Sequence, residues 1–198
     1  MMTLASYASG PSTHPLLGET IGERLHNSVA KFPQQDALVC IQQNYRATYT
    51  EFYAQTGEAA KALLALGLVK GDRVGIWSPN RYEWTILQFA TARIGLILVN
   101  LNPAYSANEL GYVLEQAEIK VVFAPVHYKT SMYREMLINV QATCPLLEQV
   151  IYFDLDWDQF LQKAGTISSI VLMSAEQMVQ MDDPVNIQYT SGTTGFPK

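Results

Sequence analysis

Apolar positions change their spacing several times along this chain, and each change marks an element. After Thr20, Ile21, Leu25 and Val29 recur every four residues, the spacing of one face of a helix, and Pro33 ends it. Residues 37–41 and 45–49 are short extended runs around the polar Gln42-Gln43-Asn44, which predicts two strands joined by a turn. Thr50 is placed to cap the alanine- and leucine-rich helix that follows, with Gly67 as its stop. From Gly71-Asp72 onward, strand and helix patterns alternate. Residues 73–77 read as a strand. Asn80 with Glu83 three positions later resembles a capping box opening a helix to Ile94, which Gly95 ends. Residues 96–100 form an apolar run short enough for a buried strand. Ser106 with Glu109 repeats the capping-box pattern for a helix to Gln116. A strand at 120–124, a helix at 127–140 and a strand at 149–153 follow, and residues 185–189 alternate as a half-buried strand.

Strands separated by helical stretches predict an α/β fold, a mostly parallel sheet flanked by helices. Ligands of such sheets sit at the carboxyl ends of the strands, which is where the chain after Tyr189 emerges. Residues 1–17 are small, polar and proline-punctuated, and are expected to be a flexible segment ahead of one folded unit over 18–198. The pattern over 154–181 is mixed and supports only a loop with a short helix. No internal repeat and no long linker divides the unit.

Composition narrows the function classes. At 198 residues, 48% hydrophobic and 16% charged, the chain is long enough to bury a sizeable core. A net charge of -5, with no Lys/Arg cluster beyond an isolated pair, disfavours nucleic acid as a partner. Cys40 and Cys144 are far apart in sequence and are expected to be reduced thiols. No run approaches a membrane span, and residues 1–12 show neither a secretory pattern nor the arginines of a transit peptide, so a cytoplasmic location is expected.

The candidate chemistry lies in the last nine residues. Thr190, Ser191, Thr193 and Thr194 supply hydroxyl donors, and Gly192 and Gly195 let backbone amides approach an anion. Pro197 stiffens the exit, and Lys198 adds a positive charge suited to a polyphosphate. Pro197 directly before the lysine departs from a Walker loop, and the stretch contains no G-x-G-x-x-G. A Gly/Ser/Thr run of this kind would by itself also suit a flexible tail.

The order Thr190-Ser191-Gly192-Thr193-Thr194-Gly195-Phe196-Pro197-Lys198 resembles the signature loop of the adenylate-forming (AMP-binding) superfamily. Two upstream stretches agree with that family: Gly71-Asp72-Arg73-Val74-Gly75-Ile76-Trp77-Ser78-Pro79-Asn80 and Gly95-Leu96-Ile97-Leu98-Val99-Asn100-Leu101-Asn102-Pro103-Ala104-Tyr105. The resemblance extends over 18–198 and is greatest to fatty-acyl-CoA synthetases. It implies the first part of a larger N-terminal domain, with ATP and Mg2+ at the loop and coenzyme A as co-substrate. It also implies that a carboxylic acid, a fatty acid by preference, becomes an acyl-adenylate and then a thioester. Thr190, Ser191, Gly192, Thr193, Thr194, Gly195 and Lys198 would hold the phosphates. The family's magnesium-binding glutamate, ribose-binding aspartate, adenine pocket and catalytic lysine lie downstream of this loop, so the chain alone is expected to be inactive. The partners implied are these small molecules, and the oligomeric state is not readable. Two other readings stay open: a non-catalytic nucleotide- or phosphate-binding module, and an interaction fragment completed by another chain.

Other constellations fail on their own terms. Asp154-Leu155-Asp156-Trp157-Asp158 is not a calcium loop, since Gln159 stands at the glycine position and Gly165 at the glutamate position. His14, His26 and His127 have no metal-ligand spacing, and no G-x-S-x-G elbow occurs. Residues 80–84 and 100–105 are read as caps, turns and core anchors in preference to a substrate cleft.

Overall fold

A computed structural model describes Thr13 and residues 17–190 of the chain. Apart from Thr13 and Leu17, the segment expected to be flexible, 1–17, lies outside the described residues. Helix α1 (Ile21–Lys31) opens on a capping box: the Thr20 hydroxyl accepts the Glu23 N–H at 3.1 Å, and the Glu23 carboxylate accepts the Thr20 N–H at 2.7 Å. Strands β1 (Asp36–Cys40) and β2 (Tyr45–Thr48) pair antiparallel as a separate ribbon. A short 3-10 turn at Ile41–Gln43 joins them, with Asn44 in the left-handed region at φ 49°. Helix α2 (Tyr49–Ala65) starts two residues earlier than the Thr50 cap implied. Thr48 forms a capping box with Glu51, while the Thr50 hydroxyl donates instead to the Pro33 carbonyl at 2.9 Å. The Tyr49 amide donates to the Gln35 carbonyl, so the helix begins as soon as β2 ends.

The main sheet contains β3 (Arg73–Trp77), β4 (Ile97–Leu101), β5 (Ile119–Ala124), β6 (Gln149–Tyr152) and β7 (Asn186–Gln188). All neighbours are parallel, in the order β6-β5-β3-β4-β7. Between them run α3 (Tyr82–Arg93), α4 (Ala107–Gln116), α5 (Tyr133–Gln141), α6 (Trp157–Gln162) and α7 (Ser169–Gln177). Successive strand residues face opposite ways, which divides the core in two. Val74, Ile76 and Leu98 pack with Phe52 and Leu63 of α2 and Leu87 of α3. Trp77, Val99 and Val122 pack with Leu110 of α4 and Leu137 of α5. The α/β sheet flanked by helices is the expected class, and α4 opens on the predicted Ser106–Glu109 box.

Three further local expectations are corrected. Glu83 does not close a box with Asn80; it is 3% exposed and turned into the protein, and the Tyr82 amide is capped by Gln43 Oε1 at 2.8 Å. Helix α5 starts at Tyr133 rather than at His127, because Tyr128 and Ser131 exchange backbone hydrogen bonds in a tight turn just before it. Residues 154–181 hold two helices, α6 and α7, where the pattern supported only one short helix. Trp157 and Phe160 anchor α6, but α7 buries only Leu172, which left it without a legible apolar stripe.

Candidate functional site at the carboxyl rim of the sheet

Because the five strands are parallel, their carboxyl ends share one rim. The chain leaving β3 enters α3 on one face, and the chain leaving the adjacent β4 enters α4 on the other. Exits that part in this way open the crevice in which α/β sheets hold ligands. Strand β7 lies beside β4, with Leu98 opposite Asn186, Val99 opposite Ile187 and Asn100 opposite Gln188. Asn186 Nδ2 donates to the Leu98 carbonyl at 3.0 Å and fastens that register. Tyr189 and Thr190 therefore leave the sheet at the rim, next to the turn that follows β4.

Of the predicted phosphate-holding residues, Thr190 is described and is exposed. Ser191, Gly192, Thr193, Thr194, Gly195 and Lys198 lie outside the described residues. The structure thus places the entry of the loop and not its grip.

Aromatic residues pack under the turn that follows β4. The Trp77 indole stacks on the Tyr133 ring with centroids 3.5 Å apart and planes 5° from parallel. Trp77 Nε1 donates to the Asn102 carbonyl at 2.9 Å, and the Tyr133 hydroxyl donates to the Pro103 carbonyl at 2.5 Å. Asn102 Oδ1 accepts the Ala104 N–H at 2.9 Å, an Asx turn within the β4 exit. Tyr105 and Tyr189 pack on the same core. Burial pushes the Tyr189 hydroxyl above its ordinary value, and Tyr112 and Tyr105 add to the shift. The stacked pair was not legible in sequence: its members are far apart, and the sole hint was a tryptophan ending a predicted strand.

The other polar groups of the rim are structural. Arg81 bridges Glu83 at 2.9 Å and Asp154 at 2.8 Å, and Asp154 also accepts the Val126 N–H at 3.0 Å. Burial raises the Asp154 carboxyl, but the Val126 hydrogen bond and Arg81 outweigh it and hold the group below the usual range. Asp156 accepts the Tyr152 N–H at 2.9 Å. The acidic turn is thus tied to its own backbone and to Arg81. Among the described residues, no group of three His, Cys, Asp or Glu is placed to hold a metal. Cys40 and Cys144 are free thiols, and burial pushes that of Cys144 up.

Comparison with known proteins adds the wider context. A family model described as AMP-binding enzyme matches residues 25–198. A mitochondrial medium-chain acyl-CoA ligase of Danio rerio, ACSF2, is 38% identical over 98% of this chain and 35% of its own length. This chain therefore spans about a third of that curated relative, whose name places it in mitochondria. Among described residues, no helix is long and apolar enough to cross a membrane. A fatty acyl CoA synthetase structure from Mycobacterium tuberculosis superposes with a TM-score of 0.67 at 25% identity, covering 90% of this chain and 33% of that one. The long-chain-fatty-acid-CoA ligase FadD1 of Archaeoglobus fulgidus reaches 0.75 at 19% identity over 98% of this chain and 38% of its own, and speaks for the fold alone.

Proposed function

The chain belongs to the AMP-binding enzyme family, and we propose that it carries the phosphate-gripping part of an acyl-CoA synthetase. In the first step a carboxylate oxygen bonds to the α-phosphorus of ATP, and the bond from that phosphorus to the outgoing pyrophosphate breaks. In the second, the sulfur of coenzyme A bonds to the acyl carbon, AMP departs, and the thiol proton is released. The substrate class is a fatty acid, medium-chain by the similarity to the Danio rerio ligase. The hydroxyls of Thr190, Ser191, Thr193 and Thr194, the amides around Gly192 and Gly195, and the Lys198 ammonium hold the phosphates. Fixed donors at the site of developing charge are commonly the largest catalytic contribution. Mg2+ would come with the nucleotide, held by its phosphate oxygens; the nine residues could add only hydroxyl oxygens, since they hold no carboxylate and the Lys198 ammonium has no lone pair for a cation.

The observation that supports this reading is the parallel register of β7 on β4, whose last paired residue, Gln188, stands two positions before Thr190. The test is calorimetric titration of the purified chain with ATP and Mg2+, alongside Lys198→Ala, together with pyrophosphate release on a panel of fatty acids. We expect saturable binding that Lys198→Ala weakens, and turnover only when the remaining two-thirds of a relative is supplied by fusion or in trans. Binding that never becomes turnover in the completed protein would identify a non-catalytic phosphate module. Absence of saturable binding by the unaltered chain would overturn the phosphate assignment.

A further inference from the structure

The turn after β4 is held by two aromatic residues that the phosphate chemistry does not use. Trp77 ends β3 and Tyr133 opens α5, and both rings are fully buried. A pair serving only to fill the core would need no polar atoms. Here each ring aims its one donor at a backbone carbonyl, and the two carbonyls belong to successive residues, Asn102 and Pro103. The turn cannot rotate about that peptide without losing one or both bonds. Tyr105, two residues after Pro103, and Tyr189 both pack against the core that contains the stack, and Tyr189 directly precedes Thr190.

We propose that the Trp77–Tyr133 stack is a positioning device for the entry of the phosphate loop. It fixes the 102–105 turn, and the turn in its place fixes Tyr189. This rests on the assignment of Thr190 and the residues after it as the phosphate grip. A loop whose first residue is held gives its donors a smaller ordering cost on binding, which favours affinity for an anion. Neither Trp77 nor Tyr133 touches the nucleotide; they act through the turn.

Hydrogen exchange of the full 198-residue chain, read by mass spectrometry, tests this on Tyr133→Phe and Trp77→Phe. Tyr133→Phe keeps the ring and removes only the donor to Pro103. Losing one ordinary hydrogen bond corresponds to roughly a two- to tenfold shift in a local opening equilibrium. The expected result is exchange faster by that factor in peptides spanning 102–105 and 189–195, with α2 unchanged. A faster turn with an unchanged loop would overturn the proposal, as would a uniform rise that includes α2. ATP titration of the same proteins separates the two ideas. If ATP fails to bind the unaltered chain, the phosphate assignment falls, while the exchange pattern still decides the positioning role.

Discussion

Gln43 and Glu83 meet at 2.9 Å across the gap between the antiparallel ribbon and α3, Gln43 Nε2 donating to Glu83 Oε2. The other end of the same carboxamide accepts the Tyr82 N–H. One side chain thus caps a helix it does not belong to and helps satisfy a buried carboxylate, which Arg81 also binds. Replacing Gln43 with Leu strands the Tyr82 amide and removes a partner of Glu83. The expected cost is about 1–3 kcal/mol in urea unfolding, the range for leaving buried polar groups unmade. Gln43→Glu should cost more, since it sets a second carboxylate against Glu83. An unchanged midpoint in Gln43→Leu would show that Arg81 alone suffices for Glu83.

This pair also shows where sequence reading stops. Ser106 and Glu109 satisfy one another within a single turn, so their box was legible. Asn80 and Glu83 carry the same spacing, but Glu83 finds Arg81 and a glutamine from the ribbon, and no local pattern reports that contact. The strand order has the same character. Alternation predicts parallel strands, whereas β7 lying beside β4 depends on long-range packing. At the candidate site, contiguous residues such as Thr190-Ser191-Gly192 could be recognised, while the Trp77–Tyr133 stack is assembled by the fold.

The start of α2 offers a direct test between the two threonines. Thr48 accepts the Glu51 N–H as the cap, and Thr50 donates an exposed hydrogen bond to Pro33. Thr48→Ala should cost about 1 kcal/mol, as loss of an N-cap usually does. Thr50→Ala should stay within about 0.5 kcal/mol, as a surface substitution. Guanidinium melts of both variants give the comparison, and a reversed order would return the helix start to Thr50.

Arg93 ties α3 to α2 and α7 on one face of the sheet. Its guanidinium, 3% exposed, bonds Glu176 of α7 at 2.6 Å and reaches the Tyr53 carbonyl and Thr56 hydroxyl of α2, each at 2.8 Å. It also lies 4.1 Å over the Tyr53 ring. Leaving the Tyr53 carbonyl and Thr56 hydroxyl without their partner typically costs about 1–3 kcal/mol, while Glu176, 28% exposed, can turn to water. Arg93→Ala should fall in that range, and Arg93→Lys should recover only part, because an ammonium cannot reproduce the planar fork. Equal stability of Arg93→Lys and the unaltered chain would show that charge, not geometry, is what α2 and α7 require.

The alkaline limit of stability should be set by raised phenols, foremost the half-buried Tyr82 and the buried Tyr133. Burial pushes Tyr82 up to about 12, with the negative charge of Glu83 adding to it. Burial likewise pushes Tyr133 up to about 12. In the unfolded chain both return to the ordinary value of 10.0. Below that value the two states bind the same protons, and the favourable burial of the neutral phenols is fully present. Between about pH 10 and 12 the folded protein keeps protons that the unfolded chain has released. The unfolding free energy must then decline as pH rises, because the state that binds fewer protons gains. Urea midpoints taken from pH 9 upward should therefore hold level and then fall. Tyr133→Phe removes one of these titrations while leaving the ring in place. It should begin from a lower midpoint, having lost the bond to Pro103, and then decline less steeply than the unaltered chain. Parallel declines would mean that Tyr133 does not hold its proton through burial, and the other raised phenols, Tyr82 with Tyr45, Tyr105, Tyr152 and Tyr189, would have to account for the slope.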